Sequence, residues 1–198
     1  MAQNPVRPGL ELLIIGGSAG ALEVILNALP QLTYELPFAI IIVLHRKQSA
    51  DTTLIDLLSA KTSRPVVEAN DKDAILPGNI YIAPADYHLL IENDHTLSLD
   101  YSEKVNFSRP CIDITFQTAA EVYREKLACL LLSGASADGV EGLELVKATK
   151  GLTAVQDPAT AEVAYMPQKA LEKMEVDVIV ESSKVIDFIR QLGGTTSV

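Results

Sequence analysis

Leu12-Leu13-Ile14-Ile15-Gly16-Gly17-Ser18-Ala19-Gly20-Ala21 is the stretch that decides the fold. Its apolar run breaks at two glycines, as is typical of a buried strand that ends in a tight turn before a helix. Gly16, Ser18 and Gly20 form G-x-S-x-G, the pattern of a nucleophilic serine on a strand-to-helix turn. The start of the following helix would offer free N–H groups and a positive dipole end to an oxyanion. A plain βα turn or a phosphate-binding loop remains an alternative for this stretch alone.

Similar apolar runs recur along the chain and alternate with segments of helical periodicity. Phe38–Leu44 and Leu127–Leu132 are apolar at every position, as in strands that helices cover on both faces. Between them, Pro77-Gly78-Asn79 indicates a turn and Glu92–His95 a hairpin loop. This order predicts an α/β fold, a three-layer αβα Rossmann-like sandwich with a mostly parallel sheet and an antiparallel hairpin at one edge.

Length and composition limit the class of protein. The 198 residues, 48% of them hydrophobic, suit a single domain over 1–198 with its core at about 10–192 and a frayed tail at 193–198. The net charge of −10 argues against nucleic-acid binding. Residues 1–9 form no apolar signal region and no apolar run could span a bilayer, so we expect a cytoplasmic protein without membrane insertion. Cys111 and Cys129 lack metal-site spacing and are expected to be reduced core residues.

Local signals also predict where three helices begin or end. Ser49 or Asp51 would cap the helix after the second strand, and Ser182 or Ser183 would cap the last helix, because their side chains can accept from free backbone N–H groups. Gly151 would close the helix before it in the left-handed conformation, which glycine adopts without a steric penalty.

Three residues with complementary chemistry follow three of the apolar strands. In an open α/β sheet, ligands bind outside the carboxyl ends of the strands. Ser18, His45 and Asp138 all lie there, and they are the residue types of a nucleophile, a base and an orienting carboxylate. A serine becomes a good nucleophile when an imidazole takes its proton, and a carboxylate on the other ring nitrogen stabilises the imidazolium. The three strand ends together therefore predict a Ser-His-Asp triad.

Each member of the triad has a purely structural alternative. His45 could be satisfied by backbone groups at its strand end, and Asp138 could cap the helix that starts at Gly139. His88, in a strand of the hairpin region, and His95, in its turn, are weaker candidates for the base. The order Ser, His, Asp differs from the order in α/β-hydrolases, so the same chemistry would lie on a different fold.

The chain resembles the catalytic domain of the chemotaxis protein-glutamate methylesterases, the CheB family, from about Leu12 to Leu192. The segment Arg109-Pro110-Cys111-Ile112-Asp113, for example, is similar to the family's R-P-S-V-D helix start. The motifs that carry the resemblance follow one another in order: Ile15–Gly20, Val43–His45, Ile82–Leu89, Arg109–Asp113, Leu132–Gly139, Gln156–Pro158 and Met166-Pro167.

The resemblance implies that Ser18 is the nucleophile, His45 the general base and Asp138 its partner. Backbone N–H groups of Ala19 and Ala135 would form the oxyanion hole. The implied reaction is hydrolysis of glutamate γ-methyl esters on methyl-accepting chemotaxis receptors, with glutamine deamidation as a related activity and with no metal or cofactor. One alternative is a non-catalytic module that binds receptors or kinases and keeps a relic triad. A Rossmann-like nucleotide binder is a weaker alternative, because G-x-G-x-x-G is lacking.

The sequence departs from the family's pattern in several places. Ala19 and Ala21 stand where Thr and Gly are usual, and Gly134-Ala135-Ser136 replaces G-M-G. Arg46 and Lys47 could hold a carboxylate-rich receptor helix or lie in a solvated loop. Nine residues precede the first strand, so we expect a stand-alone esterase domain or a fragment, with a receiver domain or a kinase acting on it in trans.

Overall fold

The computed structural model of the chain describes residues 9–46 and 53–194, which leaves the predicted cap positions Ser49 and Asp51, and also Lys47, outside the described residues. Strands and helices alternate along most of this part of the chain. None of the described helices is both long and apolar enough to cross a membrane. The strands are β1 (Leu12–Gly17), β2 (Ala39–Leu44), β3 (Val66–Glu68), β4 (Ile80–Ile82), β5 (His88–Ile91), β6 (Leu97–Asp100), β7 (Leu127–Leu131), β8 (Leu152–Gln156) and β9 (Val178–Val180), and the α-helices are α1 (Ala21–Ala28), α2 (Thr53–Ser59), α3 (Ile112–Tyr123), α4 (Val140–Ala148), α5 (Tyr165–Lys173) and α6 (Val185–Leu192).

Seven of the strands form one parallel sheet in the order β3-β4-β2-β1-β7-β8-β9. The strand β1 lies at its centre, between β2 and β7. The strands β5 and β6 pair antiparallel with each other, and the Thr115 hydroxyl of α3 donates to the Leu89 carbonyl of β5 at 2.8 Å. The predicted α/β fold with a mostly parallel sheet and an antiparallel hairpin is confirmed, but the hairpin forms a separate two-stranded sheet and does not join the edge of the large one.

Both faces of the central strand are buried in separate apolar cores. Leu13 and Ile15 belong to the core that packs under α1 and α6, whereas Leu12 and Ile14 belong to the core under α3 and α4. All four side chains are buried. Helices on both faces of the sheet therefore explain why the strand sequences are apolar at successive positions and show no alternation.

The prediction that Gly151 adopts the left-handed conformation is wrong. The helix α4 ends at Ala148, and the residue with positive φ (68°) after it is Lys150. Gly151 is required for a different reason, since a Cβ there would lie 2.7 Å from Cγ1 of Val146. Close packing, and not chain reversal, excludes a side chain at this position.

The prediction that a serine caps the last helix is also wrong. The residue before α6 is Lys184, whose side chain makes no capping hydrogen bond, and Ser182 begins a short 3-10 turn. The Ser182 hydroxyl accepts a hydrogen bond from Gln156 Nε2 at 2.7 Å and donates to the Thr160 carbonyl at 2.7 Å. Ser182 therefore stabilises the loop after β8.

Candidate active site

The three residues predicted for the triad lie at the carboxyl edge of the sheet. Ser18 follows β1, His45 follows β2, and Asp138 lies in the loop between β7 and α4. Gly17 is paired in register with Leu44, and the His45 N–H donates to the Gly17 carbonyl at 3.1 Å. Ser18 and His45 are therefore the next positions on neighbouring strands, which lie about 4.8 Å apart in a sheet.

His45 and Asp138 are joined directly across the top of the sheet. The His45 Nε2 lies 2.6 Å from the Asp138 Oδ2. The His45 side chain is 15% exposed, and the carboxylate is buried. Because Nε2 donates to the carboxylate, the neutral ring carries its proton there and has its lone pair on Nδ1. The backbone alone therefore does not satisfy this histidine.

The Asp138 carboxylate lies at the amino end of α3. Its Oδ2 accepts from the Ile112 N–H at 2.8 Å, and its Oδ1 accepts from the Asp113 N–H at 3.1 Å. The Cys111 thiol and the Asn106 amide also donate to Oδ1, at 3.0 Å and 3.3 Å. With the histidine, five donors therefore surround one buried carboxylate.

This arrangement corrects the alternative that Asp138 caps its own helix. The residue before α4 is Gly139, and no side chain caps that helix. Asp138 instead caps α3, which begins 26 residues earlier in the chain, and meets the positive end of that helix dipole. Its N–H donates to Ser136 Oγ at a long 3.4 Å.

The hydrogen bonds to Asp138 keep it ionised. Burial by itself raises the pKa of Asp138, but the bonds from His45, from the Cys111 thiol and from the backbone N–H groups at the start of α3 outweigh it and hold the pKa well below its usual value. A carboxylate that is charged at neutral pH can stabilise the imidazolium that forms when His45 takes a proton.

A second buried carboxylate, Asp113, lies beside the first. Its Oδ1 accepts from the Gly142 N–H at 2.7 Å, and its Oδ2 accepts from Asn106 Nδ2 at 2.8 Å. Burial, with the charge of Asp138 added, raises the pKa of Asp113 to about 7. The carboxyl group of Asp113 therefore links α3, α4 and the loop that contains Asn106.

Cys111, Asp113 and Asp138 are the side chains here that come closest to a metal-ligand set. Their ligand atoms lie within 4.8 Å of one another, and all three residues are buried. However, burial raises the pKa of the Cys111 thiol, with the Asp138 charge adding to the effect, so the sulfur keeps its proton. N–H and S–H donors approach both Asp138 oxygens. The cluster therefore stabilises an ionised carboxylate by hydrogen bonding.

Backbone hydrogen bonds hold the turn that contains Ser18. The Ser18 N–H donates to the Ser133 carbonyl at 2.9 Å, and the Ser133 hydroxyl donates to the Ala19 carbonyl at 2.7 Å. Ser133 is itself fixed, since its N–H donates to the buried Gln156 Oε1 at 2.7 Å. Gly20 completes the turn with a left-handed φ of 82°. The loop after β7 therefore determines the position of the Ser18 main chain.

The Ser18 hydroxyl, in contrast, makes no hydrogen bond to any residue that the structure describes, His45 included. In free enzymes the bond between nucleophile and base is often long and shortens when substrate binds. The structure thus brings His45 and Asp138 into contact and leaves Ser18 beside them with a hydroxyl that bonds to no described residue.

Gly134 brings a second backbone segment against Ser18. A Cβ at Gly134 would lie 3.0 Å from the Ser18 Cβ and 2.5 Å from Cε of the buried Met166. The N–H groups of Ala19 and of Ala135, which follows Gly134, donate to no acceptor within residues 9–46 and 53–194. Free N–H groups beside a serine are what an oxyanion hole requires.

The other two histidines have structural roles. His88 is buried, and its Nδ1 accepts from the Cys111 N–H at 3.2 Å while its Nε2 lies 3.0 Å from the Glu103 carbonyl. His95 packs edge-on against the Tyr123 ring, with the ring centroids 4.8 Å apart. Both residues therefore help to fix the hairpin against α3.

Two depressions flank the His45–Asp138 pair, and the side chain of Phe107 lines both of them. One, of about 380 Å³, includes His45 and Arg46, and the other, of about 570 Å³, includes Asp138. A cavity of about 750 Å³ between α1 and the loop after β8 contains none of the three predicted residues. Arg46, which could hold a receptor helix or lie in a solvated loop, pairs with Glu68.

Sequence reasoning missed Asn106, Phe107 and Met166 as components of the site. Met166 lies in a segment that the family resemblance already marks, but only the contact of its side chain with Gly134 reveals its role. Asn106 and Phe107 have no local signal, because the position of their turn depends on the contact of Asn106 with Asp113 and Asp138.

Comparison with known proteins adds independent information. The sequence profile described as CheB methylesterase matches residues 13–189. A Leptospira interrogans protein, provisionally named protein-glutamate methylesterase/protein-glutamine glutaminase, is 42% identical over 91% of this chain and 94% of its own. A Thermotoga maritima protein with those two activities in its name is 30% identical over 92% of this chain and 54% of its own. The crystal structure of the T. maritima CheB methylesterase catalytic domain matches with a TM-score of 0.87 and 30% identity, over 92% of this chain and 98% of that one.

Proposed function

We propose, since this chain belongs to the CheB methylesterase family, that it is a carboxylic ester hydrolase that cleaves glutamate γ-methyl esters on methyl-accepting chemotaxis receptors. Ser18, His45 and Asp138 form its catalytic triad. The observation that carries this proposal is the 2.6 Å hydrogen bond between His45 Nε2 and Asp138 Oδ2, one strand away from a serine whose hydroxyl bonds to no described residue. The names of the relatives also support deamidation of receptor glutamines at the same site.

In the first half of the reaction, the Ser18 Oγ attacks the ester carbonyl carbon. His45 Nδ1 takes the hydroxyl proton, and Asp138 stabilises the imidazolium through the Nε2–H bond. The oxyanion of the tetrahedral intermediate accepts hydrogen bonds from the N–H groups of Ala19 and Ala135. Collapse of the intermediate breaks the bond to the methoxy oxygen, which takes the proton from Nδ1 and leaves as methanol.

In the second half, water hydrolyses the glutamyl ester of Ser18. His45 Nδ1 removes a proton from the attacking water and then returns it to the Ser18 Oγ, which releases the receptor glutamate as a carboxylic acid that ionises in solution. With a glutamine substrate the same steps release ammonia in place of methanol. The side chains and backbone N–H groups named, with one water molecule, account for each bond and proton in these steps.

We also propose that the protein acts in the cytoplasm, under the control of a receiver domain or a kinase in trans. Both of its cysteines are buried and free, which suits a reducing compartment. The T. maritima relative is about twice as long as the part that matches, so its chain includes a further region outside the matched domain.

Methanol release from a methylated receptor tests the proposal. We expect wild-type protein to release methanol, and Ser18→Ala to lose roughly 10⁴-fold or more in rate, because triad members act as a unit. Ser183→Ala, at an exposed serine outside the site, is the matched control and keeps the wild-type rate. Equal rates for Ser18→Ala and wild type on an activated ester would exclude Ser18 as the nucleophile.

The absent Ser18–His45 hydrogen bond favours one alternative, a receptor- or kinase-binding module with a relic triad. The same assay distinguishes it. A protein that binds methylated receptor but releases neither methanol nor ammonia would be such a module.

A further inference from the structure

A tight turn beside the active site has an unusual sequence. The Ser108 N–H donates to the Val105 carbonyl at 2.9 Å, and these two residues form an isolated antiparallel bridge. The two residues between them, Asn106 and Phe107, have φ values of 52° and 61°. Positive φ at both central positions is the pattern of a type I′ turn. Asparagine is favoured at the first central position, but the second is normally glycine, because a side chain there strains the backbone.

Asn106 ties this turn to the buried carboxylates of the site. Its Nδ2 donates to Asp113 Oδ2 at 2.8 Å and to Asp138 Oδ1 at 3.3 Å. On the other side of the turn, the Arg109 guanidinium lies 4.0 Å from the centre of the Tyr101 ring and donates to the Tyr101 carbonyl. The turn is therefore fixed relative to the carboxylate that orients His45.

Folding does not explain the side chain at the tip of the turn. Phe107 is 99% exposed, so its ring gains nothing from burial. Its left-handed backbone is also strained in a way that glycine would not be. The exposed ring and the strained backbone both make Phe107 unfavourable for folding. Phe107 also lies at the boundary of the two depressions of the site, so its role lies outside the stability of the free protein.

The depression that includes His45 is positively charged. Among the residues that the structure describes, Arg46, Lys104 and Arg109 line it, against the one carboxylate of Asp86, although the chain as a whole has a net charge of −10. Arg46 is paired with Glu68, but Lys104 has no ion-pair partner within the residues that the structure describes. An acidic segment would therefore be attracted to this side of Phe107.

We propose that Phe107 is a specificity-determining residue that contacts the receptor segment carrying the methyl ester. The inference rests on the proposed function and names the occupant as an acidic receptor segment with an apolar side chain near the esterified glutamate. The apolar side chain packs on the Phe107 ring, and the acidic side chains of the segment face Lys104. The ester then reaches His45, which lines the depression, and Ser18, which follows the neighbouring strand β1.

Phe107→Gly is the decisive variant, because glycine adopts the left-handed conformation without strain. We expect its thermal midpoint to equal or exceed that of wild type. We expect its Kd for a methylated receptor fragment, measured by titration calorimetry, to be weaker by about tenfold or more, as for the loss of an aromatic anchor. The KM for methanol release rises more than kcat falls, and kcat/KM for a small activated ester falls by a much smaller factor. Phe107→Tyr, which keeps the ring, retains most of the affinity.

Lys104→Gln tests the charged side of the same contact. We expect roughly threefold weaker binding of the receptor fragment at low ionic strength, and a smaller difference at high salt because screening removes the attraction. Leu76→Ala and Lys61→Gln are matched controls, since both residues are exposed and precede the amino ends of β4 and β3, away from the site. Neither control variant changes the Kd.

Wild-type affinity of Phe107→Gly for the receptor fragment would overturn the inference and leave the proposed function intact. Conversely, a wild-type protein that releases no methanol would contradict the proposed function, and the calorimetric comparison of Phe107→Gly with wild type would still decide the inference. An equal loss of receptor and small-ester turnover in Phe107→Gly would also overturn it, because the ring would then act on the chemistry and not on the receptor segment.

Discussion

The two ends of the proposed triad are held in opposite ways. Asp138 is buried and accepts hydrogen bonds from five donors, four of which come from residues 106–113 around the start of α3. The Ser18 main chain is fixed by Ser133, but its hydroxyl bonds to no described residue. The protein thus surrounds the Asp138 carboxylate with hydrogen-bond donors and leaves the Ser18 hydroxyl available for reaction.

The difference follows from what each group does. A buried charge without partners costs several kcal/mol, so the carboxylate needs donors whether or not a substrate is present. A nucleophile must exchange its partner during the reaction, so a permanent hydrogen bond to a structural group would compete with the base. We therefore expect substitutions at Asp138 to affect both stability and rate, and substitutions at Ser18 to affect rate alone.

The largest effect on rate is expected for Ser18→Ala. Methanol release falls roughly 10⁴-fold or more, whereas the free energy of unfolding changes by less than about 0.5 kcal/mol, because no side-chain hydrogen bond is lost. The rate assay and urea denaturation on the same variant check the predicted rate and the predicted stability. A large loss of stability in this variant would mean that the hydroxyl is a structural group, and would remove the contrast with Asp138.

Asp138→Asn affects both properties. The amide keeps only one acceptor oxygen. Its NH₂ group replaces the other oxygen and would face donors whose hydrogen bonds that oxygen accepts in the wild type. We expect a loss of about 2–4 kcal/mol in the free energy of unfolding and a rate that is roughly 10³–10⁴-fold lower. Asp177→Asn is a useful comparison, since that carboxylate also accepts several hydrogen bonds but lies far from the site, beside Thr153. It should lower stability and leave the rate unchanged.

The stability difference between wild type and Asp138→Asn depends on pH. The folded-state pKa of Asp138 lies below its ordinary value of about 3.9. A carboxylate with a lowered pKa contributes stability above the unfolded-state pKa and loses it as the pH falls toward the folded-state value. We therefore expect the difference to be full at neutral pH and to shrink below about pH 4. Denaturation curves at several pH values check this, and a constant difference would mean that the charge of Asp138 is not what stabilises the fold.

Much of the fold, and the positions of the three candidate residues at one edge of the sheet, could be predicted because they depend on local sequence. The apolar runs of β1, β2 and β7 identify buried strands, and a parallel sheet brings the residues after those strands to one edge. That rule, together with their residue types, selected Ser18, His45 and Asp138 as candidates. The ends of α4 and α6 could not be predicted, because the packing of Gly151 and the hydrogen bonds of Ser182 come from distant residues.

The environment of Asp138 could not be predicted for the same reason. Four of its five donors lie 25 to 32 residues away in the chain and His45 lies 93 residues away. Three of the four, at Cys111, Ile112 and Asp113, depend on where α3 begins. The turn at Asn106 and Phe107 lacks the glycine that would have marked it. Residues that act through long-range contacts therefore required the structure.

An intermediate effect is expected at Gly134, which follows β7 in the loop that contains Asp138 and packs against Ser18. In Gly134→Ala the new methyl group would lie 2.5 Å from Cε of Met166 and 3.0 Å from the Ser18 Cβ. We expect the loop to move away from the serine, with a rate that is roughly 10–100-fold lower and a stability loss of about 1–3 kcal/mol. Kinetics on an activated ester measure the rate without receptor binding. Adding Met166→Ala should restore part of the rate, because the smaller side chain makes room for the methyl group. If the rate does not recover, the steric conflict lies with Ser18 and not with Met166.

The smallest effect is expected for single donors to Asp138, and Cys111 isolates one of them. Its thiol lies 3.0 Å from Asp138 Oδ1 and is a weak donor. Cys111→Ser substitutes a stronger donor and should lower the pKa of Asp138 further, with rate and stability within about threefold and about 1 kcal/mol of wild type. Cys111→Ala removes the donor but leaves four others, so we expect a loss of about 1 kcal/mol. If Cys111→Ala instead lost as much free energy of unfolding as Asp138→Asn in urea denaturation, the carboxylate would depend on a single donor. The contrast between a carboxylate held by five donors and a Ser18 hydroxyl that bonds to no described residue would then not hold.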